Sequence, residues 1–177
     1  MQKKSYDEYY KPAEDTLFLA DSIKNEKGNT ALDIGTGSGF LARILSDKFE
    51  FVVATDINFR ALEKAHEIVE NGICCNAADA LNCNFDLVVC NLPYLPSEEI
   101  ADSAVDGLAE GLGVTINIIK SASKVVRQNG KLVYLTSSLA NYQELVRRTA
   151  NLGFSVKIIA KKNLFFEELV LVECVKL

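Results

Sequence analysis

The 177-residue chain has no tryptophan, one methionine, one histidine and three prolines. Each shortage excludes something. With His66 as the only imidazole, a Ser-His-Asp triad would have to use that one residue, and a multi-histidine metal site is ruled out. His66 itself falls at the border of a helical stripe, between Leu62 and Val69, where a structural role is expected. The five cysteines, Cys74, Cys75, Cys83, Cys90 and Cys174, form no C-x-x-C and are odd in number. They read as reduced thiols, most of them buried in apolar strands. No apolar run approaches the ~18 residues of a membrane span. The opening MQKKSYDEYYKPAED has no apolar stretch of the secretory kind. The expectation is a cytoplasmic protein with no membrane segment and no metal.

What is present is ordinary globular composition, 49% hydrophobic and 24% charged. The length predicts a single domain over residues 1–177. The formal net charge is -5, which weakens the case for a nucleic-acid partner. Between Lys64 and Lys120 there is no Lys or Arg, while Glu67, Glu70, Asp79, Asp86, Glu98, Glu99, Asp102, Asp106 and Glu110 all fall there. Such a segment repels RNA and attracts a basic protein loop.

Apolar periodicity and turn signals alternate along the chain. Helices are expected at 12–24, with Leu17, Ala20 and Ile23 inward, and at 38–48, with Leu41, Ile44 and Leu45 on one face. A third starts after Asn58, which can cap it, and ends at Asn71-Gly72. Two more are expected at 112–127 and 139–152, the last stopped by Gly153. Strands are expected at 30–34, 51–55, 73–76, 85–90 and, after an Asn129-Gly130 turn, 131–136. A terminal hairpin, 154–161 and 164–175, would turn at Lys162-Asn163. This β-α-β-α order implies an α/β fold, a doubly wound, mainly parallel sheet with helices on both faces and an antiparallel hairpin at the end. The segment 91–111 is the one long irregular stretch, and loops of that length are usually functional.

Between the first strand and the next helix lies ALDIGTGSGF, with Gly35, Gly37 and Gly39. Glycines there permit a sharp turn and close approach of a ligand to the backbone. Asp33 precedes the loop, Asp56 ends the second strand and Asp79 follows the third. A carboxylate at Asp56 can accept both hydroxyls of a ribose, and one at Asp79 can reach a base. A dinucleotide loop would want G-x-G-x-x-G, but Phe40 stands where the third glycine belongs. No phosphate-binding lysine follows, so a P-loop fails too. Acidic surroundings suit a cationic ligand. The pattern resembles the first motif of class I S-adenosylmethionine methyltransferases, whose cofactor carries a sulfonium and an ammonium and no phosphate.

Asn91-Leu92-Pro93-Tyr94 follows the fourth strand. It resembles the [DNS]-P-P-[YFW] motif of methyltransferases acting on planar amide or amino nitrogens. Such a nitrogen is a poor nucleophile because its lone pair is delocalised. The Asn91 side-chain oxygen and the Leu92 carbonyl can each accept one N–H and so hold the nitrogen in line for transfer. Pro93 biases Leu92 to an extended backbone, and Tyr94 offers a face to a planar group. Leu92 stands where the motif usually has proline, and the carbonyl contact needs only backbone. No strong base is required, because the proton can leave after transfer.

Finally, Tyr10-Lys11-Pro12-Ala13-Glu14-Asp15-Thr16 closely resembles the Y-x-P-A-E-D-T segment of HemK-related protein-glutamine methyltransferases, in their short archaeal and eukaryotic branch. With DIGTGSG, TDIN, AADAL, NLPY and the ending ELVLVEC, the resemblance spans essentially the whole chain. It implies a seven-stranded sheet of order 3-2-1-4-5-7-6. It implies S-adenosylmethionine held by Thr16, Asp33, Gly35, Gly37, Asp56, Asp79 and Asn91, with Asn91, Leu92, Pro93 and Tyr94 at the substrate nitrogen. The implied substrate is the glutamine of the Gly-Gly-Gln loop of a translation release factor. The implied partner is a small zinc-binding activator paired along the open edge strand Ile73–Asn76. N6-adenine methylation of RNA or DNA, and lysine methylation by the same site, are the alternatives. A nicotinamide oxidoreductase is disfavoured by the glycine spacing, and a non-catalytic scaffold has only Leu92 in its favour.

Overall fold

The computed structural model describes residues 12–93 and 110–177, with backbone alone at 110 and 111. The elements in chain order are α1 (Glu14–Ile23), β1 (Gly28–Ile34), α2 (Phe40–Ser46), β2 (Phe49–Asp56), α3 (Phe59–Ala65), β3 (Gly72–Cys74), β4 (Phe85–Asn91), α4 (Glu110–Val125), β5 (Val126–Ser137), α5 (Tyr142–Ala150), β6 (Phe154–Asn163) and β7 (Glu168–Lys176). The strands form one sheet in the order β3-β2-β1-β4-β5-β7-β6. Pairing is parallel from β3 through β5, and β7 is antiparallel to both its neighbours. This is the order that the family resemblance implies.

Side chains on a strand alternate between faces, and here the alternation sorts the core into two layers. Leu32, Ile34, Val88 and Cys90 pack with Leu112, Ile116, Ile119 and Leu145 of α4 and α5. Ala31, Leu87 and Val89 pack with Leu19, Ile23, Leu41 and Leu45 of α1 and α2. By the same alternation Asp33 on β1 and Asn91 on β4 belong to the α1/α2 layer. Both lie at the carboxyl ends of central strands, where open α/β sheets bind ligands.

Several expected boundaries move for identifiable reasons. α1 begins at Glu14, because Ala13 is extended. Leu17 is 44% exposed, and Leu19 takes the inner position beside Ala20 and Ile23. α2 starts only at Phe40, since Gly39 takes a left-handed φ of 81° as its N-cap. Asn58 caps α3 as expected, accepting from the amide of Arg60 at 3.0 Å. β3 covers Gly72–Cys74 and not Ile73–Asn76: Asp56 is the last residue of β2 to pair, and Asn76 already belongs to the next turn. β5 starts early, because Val126 pairs with Phe85. The ladder resumes at Leu87–Lys131, with Asn129 at φ 60° between. α5 begins at Tyr142, because residues 137–140 form a turn closed by Ala140 N–H to the Ser137 carbonyl, leaving Leu139 outside. The β6–β7 turn is not Lys162-Asn163. Those residues pair with Leu169 and Glu168, and the loop is 164–167, closed by Leu164 N–H to the Glu167 carbonyl at 2.7 Å. Its tip bears Phe165 and Phe166, both largely exposed. Of the cysteines only Cys90 and Cys174 are buried, while Cys74 and Cys83 are exposed and Cys75 is intermediate. The three lie on the short edge strand and its loops, where little covers them.

Candidate active site

The glycine loop joins β1 to α2 over the carboxyl end of the sheet. The amides of Gly35 and Thr36 both donate to the Thr55 carbonyl, at 2.8 and 3.0 Å, which folds the loop back onto β2. Gly35 and Gly37 have φ of 72° and 55°, a region costly for residues with a Cβ. A Cβ built on either meets no atom of the described residues within 4 Å. The loop therefore presents bare backbone to open space. Gly39 differs: its Cβ would come to 3.2 Å from the Cα and Cβ of Ala65, so it is needed for packing against α3.

Two of the three aspartates hold this loop. Asp33 is fully buried beneath it. One of its oxygens accepts from the Thr36 hydroxyl at 2.7 Å and from the Ala42 amide at 3.1 Å. The other, Oδ1, has no partner among the described residues. Burial raises the Asp33 pKa to about 6, against lowering by those two hydrogen bonds, and Asp56 nearby adds to the rise. Asp56 is half-buried and splits its carboxylate, accepting from Gly37 N–H at 2.9 Å and from Asn58 N–H at 2.8 Å. Directly after it, Ile57 is 74% exposed, an apolar surface beside a carboxylate at the loop's rim. Sequence reasoning did not single out Ile57, and its exposure is decided by the turn into α3. Asp79 is exposed, in a turn closed by its own amide to the Asn76 carbonyl at 3.0 Å, and Asn76 Nδ2 donates to its Oδ2 at 3.2 Å.

Asn91 ends β4. It and Gly35 each come one residue after the Ile34–Cys90 pair, so the amide side chain and the glycine loop are neighbours across two adjacent strands. Asn91 Nδ2 donates to Asp15 Oδ2 of α1 at 3.1 Å. A carboxylate only accepts, so Asp15 fixes which way the amide faces. Asn91 Oδ1, buried, has no partner among the described residues. Asp15 also accepts from the Thr16 amide at 2.5 Å and from the Thr16 hydroxyl at 3.2 Å. Thus Thr16, at the start of α1, is tied to Asn91 through one carboxylate. In the sequence Asp15 stands only as one residue of the Tyr10–Thr16 segment, with no role of its own. Its partner lies 76 residues away, and no local signal marks that contact.

Leu92 is 1% exposed, its side chain in the core against the α4 layer and its amide bonded to the Leu135 carbonyl at 3.1 Å. A side chain so placed explains how leucine can stand at this position. Pro93 is exposed, and its carbonyl accepts from Thr115 of α4 at 3.4 Å. Tyr94 lies outside the described residues, as do Tyr10, Lys11, Glu98, Glu99, Asp102 and Asp106. Asp86, counted above in the acidic segment, sits at the opposite end of β4. It accepts from the amides of Asn29 and Thr30 and pairs with Arg127, so it is no part of this rim. His66 is exposed at the C-cap of α3.

Comparison with known proteins agrees with this geometry. The methyltransferase small domain matches residues 11–166. A protein of Methanocaldococcus jannaschii named "putative protein N5-glutamine methyltransferase" is 29% identical, the match covering 98% of this chain and 95% of that one. The release factor glutamine methyltransferase of Bradyrhizobium diazoefficiens is 34% identical, the match covering 57% of this chain and 41% of that one. Among solved structures, E. cuniculi Mtq2, in its complex with Trm112 responsible for methylation of the termination factor eRF1, superposes with a TM-score of 0.76 at 27% identity, covering 96% of this chain and 99% of that one.

Proposed function

The chain belongs to the methyltransferase small-domain family, and on that premise we propose that it transfers a methyl group from S-adenosylmethionine to the side-chain amide nitrogen of a protein glutamine, in the Gly-Gly-Gln loop of a translation release factor. The observation that carries the reading is the Asn91 amide. Its Nδ2 is committed to Asp15, and its Oδ1 is buried without a partner among the described residues, level with the glycine loop. A buried acceptor left unpaired costs about 1–3 kcal/mol, so its neighbourhood suits a ligand that brings an N–H. A primary amide brings two.

The residues present fit the cofactor. Gly35 and Gly37 offer a cradle that any Cβ would fill. Asp33 Oδ1 is an acceptor unpaired among the described residues, beneath a loop suited to a cationic group. Asp56 would accept the ribose hydroxyls, Ile57 would cover an apolar face beside them, and Asp79 would reach the base. Thr16, tied to Asp15, would close the side toward α1. When bound, S-adenosylmethionine supplies an electrophilic methyl group. Asn91 and the Leu92 carbonyl orient the substrate nitrogen and accept its protons' hydrogen bonds, which strengthen as positive charge develops there. Pro93 and Tyr94 would flank the planar group.

A protein substrate also suits the absence of Lys and Arg between Lys64 and Lys120, a charge balance that disfavours RNA. A small activator subunit would pair with β3. That strand bonds to β2 on one side and carries no lysine or proline, whereas the other edge, β6, bears Lys157, Lys161 and Lys162, which discourage pairing. Co-expression with such a subunit is expected to raise solubility and activity. Full activity of the chain alone, with no complex on co-purification, would remove the need for it.

The deciding experiment incubates the protein with labelled cofactor and a release factor, then examines the Gly-Gly-Gln peptide by mass spectrometry. Methyl on glutamine, abolished by Asn91→Ala with S-adenosylhomocysteine binding only modestly weakened, is the expected result. Methyl on RNA and none on protein would refute the glutamine reading, and near-normal turnover by Asn91→Ala would refute the role of Asn91.

A further inference from the structure

Ser121 lies on α4, 42 residues from Asp79, and is 5% exposed. Its hydroxyl accepts from Ala78 N–H at 3.1 Å and lies 2.5 Å from Asp79 Oδ1. An amide can only donate, so it occupies a lone pair of the hydroxyl. The single hydroxyl proton is then committed to the carboxylate. Asn76 Nδ2 holds the other oxygen at 3.2 Å. Each oxygen of Asp79 thus has one protein donor and keeps acceptor capacity, while the residue itself stays exposed. An exposed carboxylate normally samples several rotamers; this one is clamped from the buried face of α4 and from its own turn.

We infer that Ser121 is a positioning residue for nucleobase selection: it sets Asp79 to accept the exocyclic amino hydrogens of adenine and to reject a base with an oxo group there. This rests on the adenosyl cofactor proposed above. A carboxylate can only accept, so a 6-oxo base faces it with acceptor against acceptor.

The test measures binding of S-adenosylhomocysteine and of its 6-oxo counterpart, S-inosylhomocysteine, to the full chain by calorimetry, with thermal melts alongside. Wild type is expected to favour the adenosyl compound. In Ser121→Ala the adenosyl affinity should fall roughly tenfold, the loss of one charge-assisted bond's ordering, with the inosyl affinity nearly unchanged. Ser121→Thr, which keeps the hydroxyl, should restore the ratio. Should the alanine variant fail to fold, Ser121→Cys, of similar size and a weaker donor, is expected to lower the ratio in the same direction. Equal loss of both ligands would mark Ser121 as a mere structural clamp, and an unchanged ratio would equally overturn the inference. No binding of S-adenosylhomocysteine by wild type would instead overturn the cofactor reading from which it starts.

Discussion

Replacing Asp33 by asparagine should change how stability depends on pH. Asp33 is fully buried, its pKa raised by burial to about 6 from an ordinary 3.8. The folded protein therefore binds this proton more tightly than the unfolded chain. Below the unfolded value both states are protonated, and the group contributes its full stability. As pH rises toward 6 the unfolded chain releases the proton first, so stability falls, and the fall ends above the folded value. At 1.36 kcal/mol per unit the difference amounts to about 3 kcal/mol. Asparagine cannot titrate. Its oxygen can keep the bonds from Thr36 and Ala42, while its nitrogen would sit where Asp33 Oδ1 has no partner. That adds a constant offset, so the slope and not the level carries the test. In urea unfolding from pH 4 to 7, the stability of Asp33→Asn relative to wild type should rise by roughly 2.4 kcal/mol, nearly all of it by pH 6.5. A difference that stays constant across the range would show that Asp33 is not desolvated, and the account of the loop's foundation would fall.

The two kinds of loop glycine should separate cleanly. Gly37→Ala meets open space at φ 55°, so it should cost only about 1 kcal/mol of stability yet weaken S-adenosylhomocysteine binding at least tenfold by filling the cradle. Gly39→Ala drives a methyl against Ala65 at φ 81° and should cost about 2–3 kcal/mol, with the folded protein binding within roughly threefold of wild type. Denaturant melts and calorimetry on both variants check the pair; the reverse pattern would refute the assignment. Asp56→Ala removes the acceptor of two loop amides as well as the expected ribose contact, and binding should weaken by about 1–3 kcal/mol. Unchanged binding in calorimetry would exclude Asp56 as a ligand.

The architecture was legible because period and punctuation agree. Continuous apolar strands, helical stripes such as Leu41, Ile44 and Leu45, and turn residues between them leave few arrangements besides a doubly wound sheet. The resemblance in NLPY and PAEDT supplied the strand order. Boundaries moved where tertiary contacts overrode local signals. Lys162-Asn163 looks like a turn, but partners at Leu169 and Glu168 extend the ladder through it. Cys74 and Cys75 fall in a segment that reads as an apolar strand, but that strand is only Gly72–Cys74, at an open edge, and neither is buried. Leu17 fits a helical face as well as Leu19 does; which one goes inside depends on the angle at which α1 meets the sheet.

The sequence by itself determined the chemistry available: three carboxylates at strand ends, glycines able to bare a backbone, and an amide after the fourth strand. Residue type and its position relative to a strand end are local properties, and local patterns record them. The tertiary structure alone decided the pairings. It set Asp15 on Asn91 and Ser121 on Asp79, and it left Oδ1 of both Asp33 and Asn91 unpaired among the described residues. Those contacts join residues 76 and 42 apart in the chain. A hydrogen bond requires its partners within about 3 Å, and sequence separation carries no such distance once the chain has folded back on itself.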